Sequence, residues 1–199
     1  PNFIGDLNMA KVHQEAISLY PVIEEETGLS AGWHGCGALR FAISDNDVLW
    51  HRQVHAQLNQ LGYESYIVGQ KEIKELNPLF ENIDDVQTAL YTPNDGWADP
   101  TGSTNAMAKG ARQLGATVVR NNRVIDMNQR ADGMWEVITE KGTIVAEHVV
   151  NAAGHYAPQL GAMVDLEVPI VSVIHQYIIT EPLQAMIDLG FEPPVTRDP

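Results

Sequence analysis

The sequence predicts a mixed α/β or α+β fold, because segments of helical and of strand periodicity alternate along its 199 residues. Apolar residues make up 44% of the chain, which is enough for a hydrophobic core. One strand-like segment is a nearly continuous apolar run, a pattern typical of strands that are buried on both faces of a sheet. A chain of this length forms one large domain or two small ones.

Helices are predicted where apolar residues recur at helical spacing between capping residues. The first helix is expected at about 8–26, with a kink at Pro21 and a stop at Gly28. Further helices are expected at about 47–61, 73–76, 100–114 and 157–163. Their candidate N-caps include Ser44, Asp45, Asn46 and Asp99.

Strands are predicted where β-branched and aromatic residues alternate with other residues or form short apolar runs. These segments are 39–43, 66–68, 86–91, 117–119, 124–127, 135–139, 143–146, 148–153 and 170–180. A turn is expected at 93–96, and Lys141-Gly142 predicts a hairpin. The last residues, 192–199, show neither a helix nor a strand pattern.

The charge of the chain argues against two classes of partner. The sequence has 12 Lys and Arg against 26 Asp and Glu, which gives a formal net charge of −14. Nucleic-acid binders need cations to replace the counterions of phosphates, so we expect no nucleic-acid partner. An acidic chain is also repelled by anionic lipid, and no run of 18 apolar residues exists, so we expect no membrane association.

The two ends of the chain resemble cuts in a longer protein. The N-terminus lacks an initiator methionine and a signal-peptide pattern, and we expect no targeting segment in this chain. The single cysteine, Cys36, excludes an internal disulfide and a multi-thiolate metal site. A reducing compartment is therefore permitted.

The most specific local signal is the apolar strand that ends in Ala152-Ala153-Gly154. Small residues are needed where the backbone must approach a ligand closely, and ligands of open α/β sheets lie beyond the carboxyl ends of strands. The alternative is a buried strand that ends in an ordinary turn. The segment alone does not distinguish a ligand-binding turn from an ordinary one.

The histidines offer two candidate sites. His51 and His55 share one face of a predicted helix, and they are interpreted as two solvated histidines rather than as a metal site, because no third ligand follows. We expect no metal. His175 interrupts an apolar strand and shares a face with Tyr177, so it is either a structural histidine or a group that orients a substrate.

Four motifs in order along the chain resemble one family. They are Glu24–Gly28 continuing through Gly32-Trp33-His34 to Gly37–Ala42, then Pro93–Pro100, Asn151–Ala157, and Pro169–Tyr177 with Thr180. Together they resemble the FAD-dependent amine oxidoreductases of the D-amino-acid-oxidase superfamily, most closely the dimethylglycine and sarcosine dehydrogenases. Family members open with a βαβ unit that carries G-x-G-x-x-G, which this sequence lacks. The resemblance therefore implies an internal fragment.

The resemblance implies a short set of site residues. Val124 stands where the backbone of family members meets the adenine of FAD, and Ala153 and Gly154 where they line the dinucleotide. Tyr156 replaces the tryptophan of closer relatives. His175 matches the active-site histidine of their His-Gln-Tyr strand. The implied modules are a substrate-side module with a mixed sheet, residues 1–100 and 168–199, and part of the FAD-binding module, residues 101–167.

The function implied by the resemblance is oxidative N-demethylation of a secondary or tertiary amino acid in the full-length protein. FAD is the implied cofactor, a small N-methylated amino acid the substrate, and folate a further partner through a separate domain. The implied compartment is the bacterial cytoplasm or the mitochondrial matrix. Since the diphosphate loop is missing, we expect this piece to bind FAD weakly and to be inactive alone. The alternative is a truncated, non-catalytic binding or interaction module.

Overall fold

A computed structural model describes residues 6–199, which divide into two compact units. The first unit comprises residues up to 117 together with 180–199, and the second comprises residues 118–179. Within residues 6–199, no helix is both long and apolar enough to cross a bilayer.

The helices and strands follow the expected alternation. The helices are α1 (Leu7–Thr27), α2 (Asp45–Gln60), α3 (Gln70–Leu76), α4 (Pro100–Gln113), α5 (Ala157–Ala162) and α6 (Gln184–Asp188). The strands are β1 (Ala38–Ala42), β2 (Tyr66–Val68), β3 (Thr88–Thr92), β4 (Val124–Gln129), β5 (Trp135–Thr139), β6 (Gly142–Ala146) and β7 (Val195–Arg197). The mixed α/β class is therefore confirmed.

A four-stranded mixed sheet organises the first unit, in the order β2-β3-β1-β7. β1 runs antiparallel to β3 and parallel to β7, with Ala38 opposite both Thr92 and Val195. Alternate side chains of β1 enter two core clusters. Ala38 packs with Val54 and Leu58 of α2, whereas its neighbour Leu39 belongs to the cluster that contains Ile73 of α3.

The helices α1 and α4 pack together beside this sheet. Their contact buries Ile23, Ala31 and Ala106, and the Ser103 hydroxyl of α4 donates to the Ala31 carbonyl oxygen at 3.1 Å. Gly28 ends α1 with a φ of 67°, a left-handed conformation that favours glycine. The predicted caps Gly28 and Asp99 are thus confirmed, and Pro21 lies inside α1.

The second unit contains an antiparallel meander, β4-β5-β6. Met127 of β4 and Val137 of β5 are buried. A short 3₁₀ turn, Gly154–Tyr156, leads into α5, and the Asn151 side-chain amide donates to the Ala157 carbonyl oxygen at 2.9 Å. The predicted hairpin through Lys141-Gly142 is confirmed.

Three predicted strands are wrong. The segments 117–119, 148–153 and 170–180 have no regular secondary structure, and Val150 and Ile174 are 86% and 91% exposed. A strand needs a neighbour for its backbone hydrogen bonds. Within the part of the chain that the structure describes, no strand pairs with these segments. The strand expected at 148–153 is therefore absent from both sheets.

The C-terminal residues form a strand that the sequence pattern did not predict. Residues 192–199 showed no strand pattern, yet Val195–Arg197 forms β7 at the edge of the mixed sheet. Its backbone pairs with β1, which shows that partner strands outweigh a weak local pattern here. The division into a substrate-side module and an FAD-binding module remains a prediction. Helix α4, which that division assigned to the FAD-binding module, packs in the first unit.

Candidate functional site

A cavity of about 590 Å³ opens in the first unit between α1, α4 and two loops. Its aromatic walls are Tyr20, Trp33 and Trp97, and we name it the aromatic cavity. The volume lies in the range of about 300–1,000 Å³ that is usual for small-molecule sites. Apolar side chains such as Ile17 and Met107 complete much of the lining.

The first wall of the aromatic cavity is a stacked pair of rings. Tyr20 of α1 lies against Trp33 with ring centroids 5.3 Å apart and planes 11° apart. His13, which lies seven residues before Tyr20 on the same face of α1, also lines the cavity. Its buried Nδ1 atom has no hydrogen-bond partner among residues 6–199.

The second wall is held by a close approach of two loops. The His34 N–H donates to the Trp97 carbonyl oxygen at 2.8 Å, and the Trp97 N–H donates back to the His34 carbonyl oxygen at 3.1 Å. The two rings stack with centroids 4.0 Å apart and planes 9° apart. Gly96 permits this approach, because a Cβ at Gly96 would collide with the His34 carbonyl oxygen.

One carboxylate joins both rings of this second wall. Glu192 Oε1 accepts a 2.7 Å hydrogen bond from the Trp97 indole N–H, and its Oε2 lies 2.7 Å from His34 Nδ1. A second carboxylate, Asp95, is buried in the cavity wall and accepts from the Gly96 N–H at 2.8 Å. Burial, with the charge of Glu192, raises the pKa of the nearby Cys36 thiol, so the thiolate is disfavoured.

A second cavity, of about 430 Å³, lies in the second unit. Its lining includes Val124, Ala153 and Tyr156, and we name it the Tyr156 cavity. The remaining lining residues are Arg123, Gln159, Leu160 and Met163. The structure thus brings together three of the four residues that were predicted to bind the cofactor.

The fourth predicted cofactor residue, Gly154, follows Ala153 directly in the chain. Its φ is +57°, so a side chain would strain the backbone at this position. Apart from its two chain neighbours, no described residue has an atom within 4 Å of the place where a Cβ would stand. A planar ligand could therefore approach the backbone here without obstruction.

The whole chain matches one family. Residues 3–199 match the model of the FAD dependent oxidoreductase family, DAO. The chain belongs to this family. It is 38% identical to mitochondrial dimethylglycine dehydrogenase of Rattus norvegicus over 98% of this chain, and 34% identical to mitochondrial sarcosine dehydrogenase of Mus musculus over 82%. The chain spans 23% and 18% of the lengths of these two curated relatives.

A solved structure supports the same fold for this DAO-family chain. The crystal structure of L-proline dehydrogenase from P. horikoshii superposes on the complete chain with a TM-score of 0.81, at 25% sequence identity. The superposed part covers 52% of that protein. The family is FAD-dependent, and the resemblance found in the sequence motifs is therefore confirmed.

The predicted active-site residue His175 is placed in neither cavity lining. It lies in the irregular segment 170–180 and is exposed, as is Tyr177, which is 82% exposed. Neither His175 nor Tyr177 lines the aromatic cavity or the Tyr156 cavity as the described residues form them. The role of His175 in a DAO-family reaction therefore remains a prediction.

The structure corrects the interpretation of His51 and His55 of α2 as solvated histidines. His51 is only 1% exposed, and neither ring nitrogen has a hydrogen-bond partner among residues 6–199. Burial, assisted by the positive charge of Arg40, lowers the pKa of His51 from 6.5 to about 4. His55 is half-buried and hydrogen-bonds Ser65 Oγ at 2.9 Å. The prediction of two solvated histidines was wrong, because this face of α2 packs on the sheet.

The metal alternative for this pair gains no support from its surroundings. In the described range 6–199, no group of three or more His, Cys, Asp or Glu side chains is arranged to hold a metal ion.

Sequence reasoning missed the residues that build the aromatic cavity. Trp33 and Trp97 lie in two of the motifs that carried the family resemblance, 32–34 and 93–100, but no role followed from those motifs. Glu192 lies 95 residues from Trp97. A contact of this range leaves no local signal in a single sequence.

Proposed function

We propose that the complete protein carrying this chain oxidises the N-methyl group of a secondary or tertiary amino acid, with FAD as electron acceptor. The observation that carries the proposal is the 38% identity to a dimethylglycine dehydrogenase along 98% of the chain, since it spans both cavities. Sarcosine dehydrogenase, a second relative, is named for another N-methylated amino acid.

The Tyr156 cavity is the proposed site for the adenine end of FAD. Its lining is apolar and aromatic at Val124, Leu160 and Tyr156, which fits a planar ring, and the backbone of Ala153 and Gly154 is free to approach it. When bound, FAD supplies the two-electron oxidation, which side chains alone do not provide. The protein supplies binding, orientation and electrostatics.

The overall reaction balances with one water molecule. A hydride leaves the N-methyl carbon, and the nitrogen lone pair forms the C=N bond of an iminium ion. Water adds to this carbon and releases one proton. The remaining hydroxyl proton passes to the nitrogen as the C–N bond breaks. The products are formaldehyde, the demethylated amino acid and reduced FAD. Capture of the one-carbon unit by folate, through a separate domain, is a further part of the proposal.

His175 is the proposed group that orients the substrate or takes the proton of its ammonium. A protonated amine has no lone pair to stabilise the carbon that loses hydride, so a neutral histidine nearby favours the reactive form. His175 is exposed in the described part of the chain, so its ring is accessible to a substrate.

For the compartment, we propose the mitochondrial matrix or the bacterial cytoplasm. The two relatives named above are described as mitochondrial.

The test is an assay of the complete, FAD-loaded protein with dimethylglycine and sarcosine, using an artificial electron acceptor. We expect formaldehyde in amounts equal to the acceptor reduced. His175→Ala should lower turnover by about 10²–10⁴-fold, as is typical for general acid–base groups, and should leave the flavin spectrum unchanged.

The matched control is Ser172→Ala, which changes another exposed residue of the same segment and should retain normal turnover. A protein that holds FAD but oxidises neither substrate would contradict the proposed activity and favour a non-catalytic module. Normal turnover of the His175→Ala variant would remove His175 from the site while leaving the activity in place.

A further inference from the structure

We propose that Arg40 of β1 and Arg197 of β7 form a site that binds a phosphate group, either as the free ion or as the monoester of a small molecule. We name these two side chains the arginine pair. Both strands belong to the first unit, and neither arginine lines the aromatic cavity or the Tyr156 cavity. The inference therefore goes beyond the proposed oxidation and does not depend on it.

The register of the mixed sheet places the two arginines side by side. β1 and β7 run parallel, and Arg40 is paired with Arg197 in this ladder. Neighbouring strands lie about 4.8 Å apart, and paired residues extend their side chains from the same face of a sheet. Arg40 is half-buried and Arg197 is exposed, so a ligand reaches the arginine pair from the solvent.

Two positive charges at this spacing repel each other. Burial, together with the charge of Arg197, lowers the pKa of the Arg40 guanidinium, which still keeps its proton at neutral pH. Like charges that lie directly opposite each other on neighbouring strands destabilise a sheet. An anion bound between the two guanidinium groups replaces this repulsion by two attractions.

The acidic residues of the chain leave the arginine pair without a salt bridge. The chain has 26 acidic residues against 12 Lys and Arg, yet among residues 6–199 no carboxylate lies within salt-bridge distance of either guanidinium. Asp47 contributes a favourable charge to Arg40. Its Oδ2 atom, however, already accepts from the Ser44 N–H at 3.0 Å and from the Ser44 hydroxyl at 2.6 Å.

The helix that covers this face of β1 supplies a neutral side chain next to Arg40. Ala38 packs against Val54 and Leu58 of α2, and Arg40 extends from the same face of β1 because side chains alternate along a strand. His51 lies on the same stripe of α2 as Val54 and Leu58. It is buried, and its pKa of about 4 leaves it uncharged at neutral pH. The buried face of α2 therefore does not neutralise Arg40.

A phosphate group matches the arginine pair better than a carboxylate does. A guanidinium group presents a planar fork of N–H donors that binds two oxygens of a phosphate at once. A dianionic phosphate has enough oxygens and enough charge for both arginines. A carboxylate has two oxygens and one negative charge, which a single arginine satisfies.

The first experiment follows the binding of inorganic phosphate to the 199-residue chain by phosphorus NMR. The ionic strength is held constant with sodium chloride, and the pH is above the second pKa of phosphate. We expect saturable binding, which Arg40→Gln and Arg197→Gln should each weaken by at least about tenfold.

The matched control is Arg52→Gln on α2. Arg52 is exposed and is not among the charges that act on Arg40, so this variant should bind phosphate as the unaltered chain does. Absence of saturable binding to the unaltered chain, or equal affinity in all three variants, would overturn the proposal.

Two further probes identify the recognised group and its source. Acetate should bind at least about tenfold more weakly than phosphate, and equal affinity would overturn the assignment to phosphate. Methyl phosphate that binds within about threefold of inorganic phosphate would support a monoester as the ligand. Methyl phosphate that binds at least about tenfold more weakly would support the free ion.

The neighbouring carboxylate tests where the anion lies. Asp47→Asn removes a negative charge near Arg40 and keeps an oxygen that accepts from Ser44. We expect this variant to bind phosphate about threefold more tightly, because a repulsion of the anion is lost. Unchanged or weaker affinity would place the anion away from Arg40 and would overturn the site.

Thermal unfolding separates ligand binding from a structural role of the arginine pair. In chloride alone, Arg197→Gln should unfold at a temperature equal to or above that of the unaltered chain, because a like-charge repulsion is removed. Added phosphate should raise the unfolding temperature of the unaltered chain more than that of the variant, since a ligand of the folded state stabilises it. An equal rise in both proteins would be the general effect of the salt and would overturn the proposal.

Variants that fail to fold are recognised by their circular dichroism, and Arg40→Lys and Arg197→Lys then replace them. Each keeps a positive charge but loses the planar fork, so each should weaken phosphate binding by about threefold to tenfold. Unchanged affinity in both lysine variants would overturn the role of the guanidinium groups.

Discussion

His51 carries an ionisable ring in a place that suits an apolar side chain. Its pKa of about 4 lies below the value of 6.5 expected in an unfolded chain, so the unfolded state binds a proton more readily than the folded state. The contribution to stability is complete above pH 6.5 and is lost as the pH falls towards 4. The loss is about 3 kcal/mol at most, from the size of the shift.

Replacement of His51 by leucine should flatten this pH dependence. We expect His51→Leu to be at least as stable as the unaltered chain at pH 7, because the substitution removes two buried nitrogens that have no hydrogen-bond partner among residues 6–199. Its free energy of unfolding in urea should then change less than that of the unaltered chain between pH 6.5 and pH 4. The control is His55→Gln on the same helix, which should keep the original slope. An equal slope in His51→Leu would contradict the argument.

At the scale of elements, the pairing of two loops around Gly96 shapes the aromatic cavity. Alanine at this position would place a Cβ against the His34 carbonyl oxygen, which belongs to the backbone and cannot move without breaking the pairing. We expect Gly96→Ala to lower the free energy of unfolding by about 1–3 kcal/mol, the usual cost of overpacking. Thermal unfolding followed by tryptophan fluorescence measures it.

The control for Gly96→Ala is a glycine with a yielding neighbour. At Gly69 the nearest atom to an added Cβ is the end of the Glu72 side chain at 3.2 Å, which can rotate away. Gly69→Ala should therefore change stability by less than about 1 kcal/mol. An equal loss of unfolding free energy in both variants would show that the close approach at Gly96 does not stabilise the pairing of the two loops.

Local signals explain which elements the sequence could predict. Helix α2 is capped by Ser44, whose hydroxyl forms a capping box with the Asp47 carboxylate. These contacts join residues three apart in the chain. The predicted strand 148–153 carries an equally strong apolar signal, but its hydrogen bonds depend on a distant partner that residues 6–199 do not provide. β7 is the converse case, since pairing with β1 supplies what its sequence does not show.

The same distinction applies to the candidate sites. Val124, Ala153 and Tyr156 were identified through the resemblance to a known family, and the structure places them around one cavity. The rings of Tyr20 and Trp33 meet only because α1 and the following loop fold back on each other. Stacking of this kind depends on side-chain packing, which periodicity does not reveal.

At the scale of the whole molecule, the chain offers only part of a dinucleotide site. FAD is normally held through its diphosphate by a glycine-rich turn at a helix N-terminus, and the sequence contains no G-x-G-x-x-G. In the second unit the helix beside the Tyr156 cavity, α5, has only 6 residues and no side-chain cap. What remains is the lining of the Tyr156 cavity, which is largely apolar and aromatic and is the site we propose for the adenine end of FAD.

The 199-residue chain should therefore purify without colour and bind FAD only weakly. Because only the adenine end is contacted, we expect ADP and FAD to bind with affinities within about threefold of each other. Titration calorimetry with both ligands measures this, together with flavin absorbance of the purified chain. Tyr156→Ala should weaken both ligands further, whereas Tyr177→Ala, an exposed tyrosine outside the cavity lining, should not. A yellow chain with one flavin per molecule, or FAD bound far more tightly than ADP, would show that the isoalloxazine and diphosphate are held by residues 6–199 after all.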